Sequence, residues 1–175
     1  MIFVVKIKLN IMKHTILSVF FALALIVNAN AIDKNKNLNR ETNASYFAQN
    51  NFEAKYQDAK NVVWSNVDGY YKAAFTLNGV KKSAFFNAQG EYVATTQYVS
   101  GDKLPAKSLE KLKKLYKEYT LGEVLQFEVD ETAGTSAYTS SSGDNTYYFA
   151  SLRKEDSQIV VKITAQNDVS FFRSL

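Results

Sequence analysis

Between Asn61 and Val99 the chain reads NVVWSNVDGYYKAAFTLNGVKKSAFFNAQGEYVATTQYV, four short runs separated by turn residues. Tyr71, Ala73, Phe75 and Leu77 alternate with Tyr70, Lys72, Ala74 and Thr76. A period of two belongs to a strand, whose successive side chains point to opposite faces; a helix would need 3.6. Asn78-Gly79 joins two of the runs, and both residues tolerate the positive φ that a two-residue hairpin demands. Gln89-Gly90 closes the next run in the same way. The stretch is an antiparallel meander, and it carries the single Trp of the chain, Trp64.

The first thirty residues obey a different logic. Lys13 and His14 precede an apolar run of twelve residues, Ile16 to Val27, followed by Asn28-Ala29-Asn30-Ala31. A charged start, a short apolar stretch and a small-x-small site are the pattern of a secretory signal peptide. A spanning helix needs about 20 apolar residues. Cleavage after Ala31 is therefore the expectation, with an uncleaved anchor as the alternative, and Met1 or Met12 as the start. The organisation expected is a signal peptide at 1–31, a flexible Asn-rich lead at 32–42 and one domain at 43–175, in two units of about 43–100 and 101–175.

Removing the leader changes the charge. All 17 acidic residues lie after Ala31, against 18 of the 21 basic ones, so the formal net charge falls from +4 to +1. Binding nucleic acid through its phosphates needs a clustered basic face, and none remains. The only His, His14, and both Met also lie in the leader, and the chain has no Cys. That excludes Ser–His and Cys–His catalysis, His- or Cys-based zinc sites, disulfides and a lipid-attachment cysteine. About 144 residues remain, enough for one domain that buries about 70% of its unfolded surface.

Around the meander lie two helices. Thr42 or Asn43 can cap one that runs to about Tyr56, with Phe52, Tyr56 and Ala59 forming its apolar stripe. The second opens at Leu104-Pro105, with Pro at the first helical position, and runs to Tyr119. Its apolar face is Leu109, Leu112, Leu115, Tyr116 and Tyr119, with Lys107, Lys111, Lys114 and Lys117 largely opposite as a solvated side. Strands resume at Val124–Val129, Thr146–Leu152, Gln158–Thr164 and Val169–Phe172. The Ser/Thr/Gly-rich tract from Glu131 to Asn145 reads as a long hairpin loop.

The second half echoes the first. At an offset of 63, Tyr56 matches Tyr119, Val62 matches Leu125 and Trp64 matches Phe127. At an offset of 77, Tyr70-Tyr71 matches Tyr147-Tyr148, Ala73 matches Ala150, and Gly90 matches Asn167. The difference of 14 is close to the length of the Ser-rich tract. The fold class expected is α+β, a tandem repeat of one helix plus an antiparallel β-meander. Both helices would pack on one face of a shared antiparallel sheet.

The order Tyr56…Val62-x-Trp64…Gly69-Tyr70-Tyr71…Phe75…Asn78-Gly79…Phe85-Phe86…Gly90, then Leu104-Pro105 and Tyr119, resembles the exported β-lactamase-inhibitor-like, PepSY-like proteins. The resemblance covers about Phe52 to Phe172. It implies a periplasmic setting and helices on one face of an antiparallel sheet, and its motifs carry no catalytic residue. The family's turn after Phe86 often holds Asp, where this chain has Asn87.

The remaining chemistry is thin. Asp130-Glu131 and Glu155-Asp156 sit at turns, as solvated carboxylates do. Asp144-Asn145 beside Gly143 lacks the alternating oxygen ligands of a calcium loop. Gly69 and Gly79 are isolated turn glycines, and Asn43-Ala44-Ser45 is both a glycosylation match and a helix cap. No catalytic residue, metal or cofactor is expected.

Strand parity assigns the faces. Tyr71, Ala73 and Phe75 share a side with Lys82, Ala84 and Phe86, as Tyr148, Ala150 and Leu152 do with Ile159, Val161 and Ile163. These are the helix-covered core, and Trp64 reads as core too. The opposite parity puts Tyr70, Lys72, Phe85, Tyr147, Phe149, Arg153 and Lys162 on an open face. Tyr and Arg are frequent interface anchors, although exposed aromatics also stabilise cross-strand pairs. The expected function is a non-enzymatic binding module that grips a protein or peptide partner in the cell envelope through that face. The alternative is a carrier or scavenger of a small apolar ligand. An enzyme would have to work with carboxylates, Lys, Tyr or Ser alone.

Overall fold

The computed structural model describes residues 44–129 and 145–175. The expected leader, the lead at 32–42 and the 131–145 tract except Asn145 lie outside the described residues. A helix, α1 (Tyr46–Lys55), precedes β1 (Lys60–Val67), β2 (Tyr70–Leu77), β3 (Val80–Phe86) and β4 (Tyr92–Val99). A 3-10 turn at Gly101–Lys103 leads into α2 (Ala106–Leu115). Then come β5 (Thr120–Val129), β6 (Thr146–Lys154), β7 (Ser157–Thr164) and β8 (Val169–Ser174). The eight strands form one sheet in chain order, each antiparallel to the next.

Asn78-Gly79 makes the turn its residues predict, with φ of 51° and 80°, and Asp68-Gly69 makes another, with 46° and 85°. Gln89-Gly90 does not repeat it. In that turn only Gly90 is left-handed (φ 83°). Asn87 opens a longer turn instead, its Oδ1 accepting from the backbone N–H groups of Gln89 and Glu91 at 3.0 and 2.9 Å.

Both helices differ at their ends from the sequence reading. Ser45, not Thr42 or Asn43, caps α1: its extended backbone lets Oγ accept from the Ala48 N–H at 3.2 Å. Pro105 is the N-cap of α2 rather than its first helical residue. α2 stops at Leu115, which is exposed rather than part of the core. There the Tyr116 N–H donates to the Leu112 carbonyl at 2.8 Å and the Tyr119 N–H to the Tyr116 carbonyl at 3.0 Å. This turn brings both Tyr rings back onto the sheet-side core. α1 ends in the same way, through Tyr56 to Phe52 at 2.8 Å and Ala59 to Tyr56 at 3.1 Å.

The helices pack on one face of the sheet. Under α1, Ala48 and Phe52 meet Ala73, Phe75, Ala84 and Phe86, and the Trp64 ring stands edge-on to Phe52 at 5.4 Å. Under α2, Leu112 joins Leu104, Val124, Ala150, Leu152 and Ile159. A short helix with Asn50 and Asn51 at its centre gains little from propensity, so packing holds α1 in place. Burial of Phe52 alone contributes about 1.5–3 kcal/mol. A polar seam divides the two cores: Gln97 Nε2 donates to Gln126 Oε1 at 2.9 Å, and Gln126 Nε2 to Glu128 Oε1 at 2.7 Å. Beside it the Tyr56 and Tyr92 hydroxyls meet on Thr95 Oγ1.

The offset of 63 fails in register. Trp64 pairs with Ala73 under α1, and Val124 pairs with Ala150 under α2. Phe127 lies on the other face. An odd shift along a strand exchanges its two faces, so Phe127 does not share the helix-covered face with Trp64, whereas Val124 does.

Candidate functional site: the sheet face opposite the helices

The strands, not the helices, build the second face. Following the ladder, Ser65, Lys72, Phe85, Ala94 and Val129 form one cross-strand row. Val63, Ala74, Ser83, Thr96, Phe127 and Tyr147 form another. Leu125, Phe149 and Lys162 share a third.

All seven residues assigned by parity to this face lie on it or at its border, but the face is not the open, aromatic surface expected. Phe85 and Phe149 are each 1% exposed, Tyr147 6% and Lys72 8%. Together with Val93, Ala94, Leu125, Phe127, Val129 and Val160, three of these aromatics form an apolar cluster drawn from strands β3 to β7. Tyr70, Tyr98 and Phe172 pack against it, half-buried. Only Arg153 is exposed, at the edge where β6 meets Gln158 of β7. Lys162 is half-buried, its Nζ 4.4 Å from the centre of the Tyr147 ring.

The signal for two-sided burial was present. Val124 and Leu125 in β5, and Ile159, Val160 and Val161 in β7, are apolar at both parities, which marks a strand covered on both faces. Leu125, Phe127, Val129, Val160 and Tyr98 are the residues of this face that parity reasoning on the aromatic runs missed.

Beside the cluster the face sinks into a groove of about 820 Å³. Its floor is the row Ala74, Ser83 and Thr96 on three adjacent strands, where short side chains leave room. Val63, Tyr98 and Leu125 wall it, and Val80, Lys81 and Glu123 stand along its lining. Pockets of about 300–1,000 Å³ with a few polar groups are the usual size for small ligands. A second hollow of about 950 Å³ lies at the Arg153 edge and is lined by charged and polar groups, among them Glu118, Thr120, Ser151 and Lys154.

Electrostatics follow burial. Loss of solvent lowers the pKa of the Lys72 ammonium, and likewise that of Lys162. Burial raises the Tyr70 hydroxyl and pushes Tyr98 up to about 12, with the Glu123 carboxylate adding to the latter. No group of three His, Cys, Asp or Glu gathers to hold a metal ion among the described residues. Nor is any described helix long and apolar enough to cross a membrane.

No protein-family model matches the chain, and no curated protein does. Solved structures do. A DUF2874 family protein from Bacteroides ovatus is 22% identical with a TM-score of 0.60, over 73% of this chain and 87% of that one. A BLIP-like protein from Bacteroides fragilis is 15% identical with a TM-score of 0.61, over 75% and 86%. A protein from Bacteroides eggerthii described as a putative periplasmic protein is 18% identical with a TM-score of 0.60, over 75% and 88%. The fold is therefore BLIP-like: α+β, with one antiparallel sheet.

Proposed function

We propose that this chain is a non-enzymatic exported binding module, BLIP-like and PepSY-like, that holds its ligand on the sheet face opposite the helices. The observation that carries the reading is the groove of about 820 Å³ opening beside an apolar face that neither helix uses. Export, with cleavage after Ala31 and a periplasmic or secreted product, is supported by the Ile16–Val27 run and Ala29-Asn30-Ala31. The periplasmic description of the Bacteroides eggerthii protein agrees with it. The two helix-and-meander units read as copies; matched left-handed turns at Gly90 and Asn167 support that.

Two occupants compete. The BLIP-like fold favours a protein or peptide partner gripped by the aromatic and basic residues of this face. Burial of Phe85, Tyr147 and Phe149 counts against a flat docking surface. A floor of short side chains under a cavity of ligand size favours the other reading, a carrier or scavenger of a small apolar ligand. That is the function the geometry supports best.

Solvent extraction and mass spectrometry of protein purified from its native envelope tests it, with Ala74→Phe as the blocked variant. Ala74 faces the groove and belongs to neither helix core, so Phe there fills the floor from the ligand side. An apolar molecule should come from the parent and be depleted in the variant. Equal recovery from both removes the groove from the reading.

A further inference from the structure

The buried Ser and Thr hydroxyls divide into two sets. On the helix side each has a partner: Thr95 Oγ1 meets the Tyr56 and Tyr92 hydroxyls, and Ser108 Oγ donates to Asn167 Oδ1 at 3.2 Å. On the other face Ser83 is 8% exposed and Thr96 4%. Among the described residues no hydrogen bond within the chain reaches either hydroxyl. Ser151, equally buried and equally unpartnered, lines the second hollow. Among the described residues, Asn145 Oδ1 is the only side-chain nitrogen or oxygen that lacks both solvent and a partner. The Ser83 and Thr96 oxygens therefore keep a little solvent, and they line the groove that supplies it.

Ser83 and Thr96 are directly paired, which sets their Cβ atoms about 5 Å apart on adjacent strands. On one side of them lie Ala74 and the exposed Val63, on the other Tyr98 and Leu125. The trough is thus polar at its centre and apolar toward both ends. A ligand that fills it takes the last solvent from the two hydroxyls, and a buried hydroxyl left unpaired weakens binding. A hydrocarbon leaves both unpaired, whereas one oxygen with two lone pairs accepts from both. At the rim, Lys81 and Glu123 are opposite in sign, so an anion that gains the first meets the second. Lys82, one residue on, alternates to the other side of β3.

Resting on the proposal that this groove is the binding site, we infer that its ligand is a neutral carbonyl compound of the ketone or ester class, with an apolar arm on each side of the carbonyl. The carbonyl oxygen accepts from the Ser83 and Thr96 hydroxyls. One arm lies over Ala74 toward Val63, and the other against Tyr98 and Leu125. A site whose buried polar groups are completed by the ligand's oxygen rejects the same shape without it.

The test uses protein purified from cells that express the full chain, cleared of bound apolar molecules and titrated calorimetrically with two probes. Benzophenone carries a carbonyl between two rings; diphenylmethane has the same rings and no oxygen. The parent should bind the ketone about five- to thirtyfold more tightly, the scale of one or two neutral hydrogen bonds. Ser83→Ala and Thr96→Val should each lose part of that preference, and the double variant all of it while still binding diphenylmethane. Ser151→Ala, which removes the hydroxyl of the other hollow, should leave the preference intact. Equal affinity in the parent, a preference that survives the double variant, or one that disappears in Ser151→Ala overturns the inference. If both probes bind alike and Ala74→Phe blocks both, the groove stands and only the carbonyl assignment falls. If neither probe binds, the inference falls, and the groove falls with it when native protein yields no apolar molecule.

Discussion

Adding one methyl group at Gly90 should displace α1 from the sheet. Gly90 has φ of 83°, and a Cβ built there would lie 2.6 Å from the Ala48 backbone nitrogen, 2.7 Å from Phe47 Cβ and 2.9 Å from the Phe47 carbonyl carbon. These are mostly backbone atoms, so no rotamer change relieves the contact; the first turn of α1 has to retreat by several tenths of an ångström. That retreat also strains the bond from Asn51 Nδ2 to the Gly90 carbonyl, 2.8 Å long. Gly79 provides the control, since its φ is 80° and a Cβ there meets nothing within 4 Å. Gly79→Ala carries only the left-handed penalty, about 1–2 kcal/mol. Gly90→Ala carries the same penalty plus overpacking of about 1–3 kcal/mol, so it should lose about 2–5 kcal/mol in urea unfolding. At about 4 °C per kcal/mol for a domain of this size, the Tm should fall by about 8–20 °C, against about 4–8 °C for Gly79→Ala. Adding Asn51→Ala to Gly90→Ala should cost less than adding it to the parent, because the first change has already weakened that bond. If the two glycine variants unfold at the same urea concentration, α1 does not sit on the β3–β4 turn and the reasoning is wrong.

Two further outcomes follow from the same geometry. The β5–β6 hairpin is in register up to its last described residues, with the Val129 N–H bonded to the Asn145 carbonyl at 3.1 Å. Replacing residues 130–144 by Asn-Gly should therefore cost less than about 1 kcal/mol, and a loss above about 2 kcal/mol in urea unfolding would mean that the tract packs on the domain. The hydroxyls of Tyr56, Tyr92 and Tyr98 are all raised above their ordinary pKa, chiefly by burial, Tyr98 to about 12. The unfolded chain then loses these protons first, so their contribution is complete below about pH 10 and declines as pH rises through the folded values. Lys72 acts in the opposite sense, because its lowered pKa makes folding less unfavourable as pH rises. Urea midpoints of the parent and Tyr98→Phe between about pH 8 and about pH 11.5 isolate the Tyr98 part; the variant should fall off less steeply, and parallel curves would contradict the burial of that hydroxyl.

The sequence by itself determined the strands, most of the turns and the side taken by the residues of the alternating runs, though not that of Phe127, which the repeat had matched to Trp64. Alternation at Tyr71, Ala73 and Phe75 is a local property of extended backbone, and Asn78-Gly79 carries its own φ preference. Those signals survive without tertiary information, so the helix-facing cores stand where parity puts them. The ends of the helices were less legible, because Ser45, Asn43 and Thr42 are all competent caps and the surrounding chain chooses among them. Only the tertiary structure decided what the other face is. Tyr70, Lys72, Phe85 and Phe149 share a face by parity in either case, but parity is silent on whether that face meets water. The depth of the groove is likewise a cross-strand property. Ala74, Ser83 and Thr96 are scattered over 23 positions of chain and become one floor only when three strands take their register.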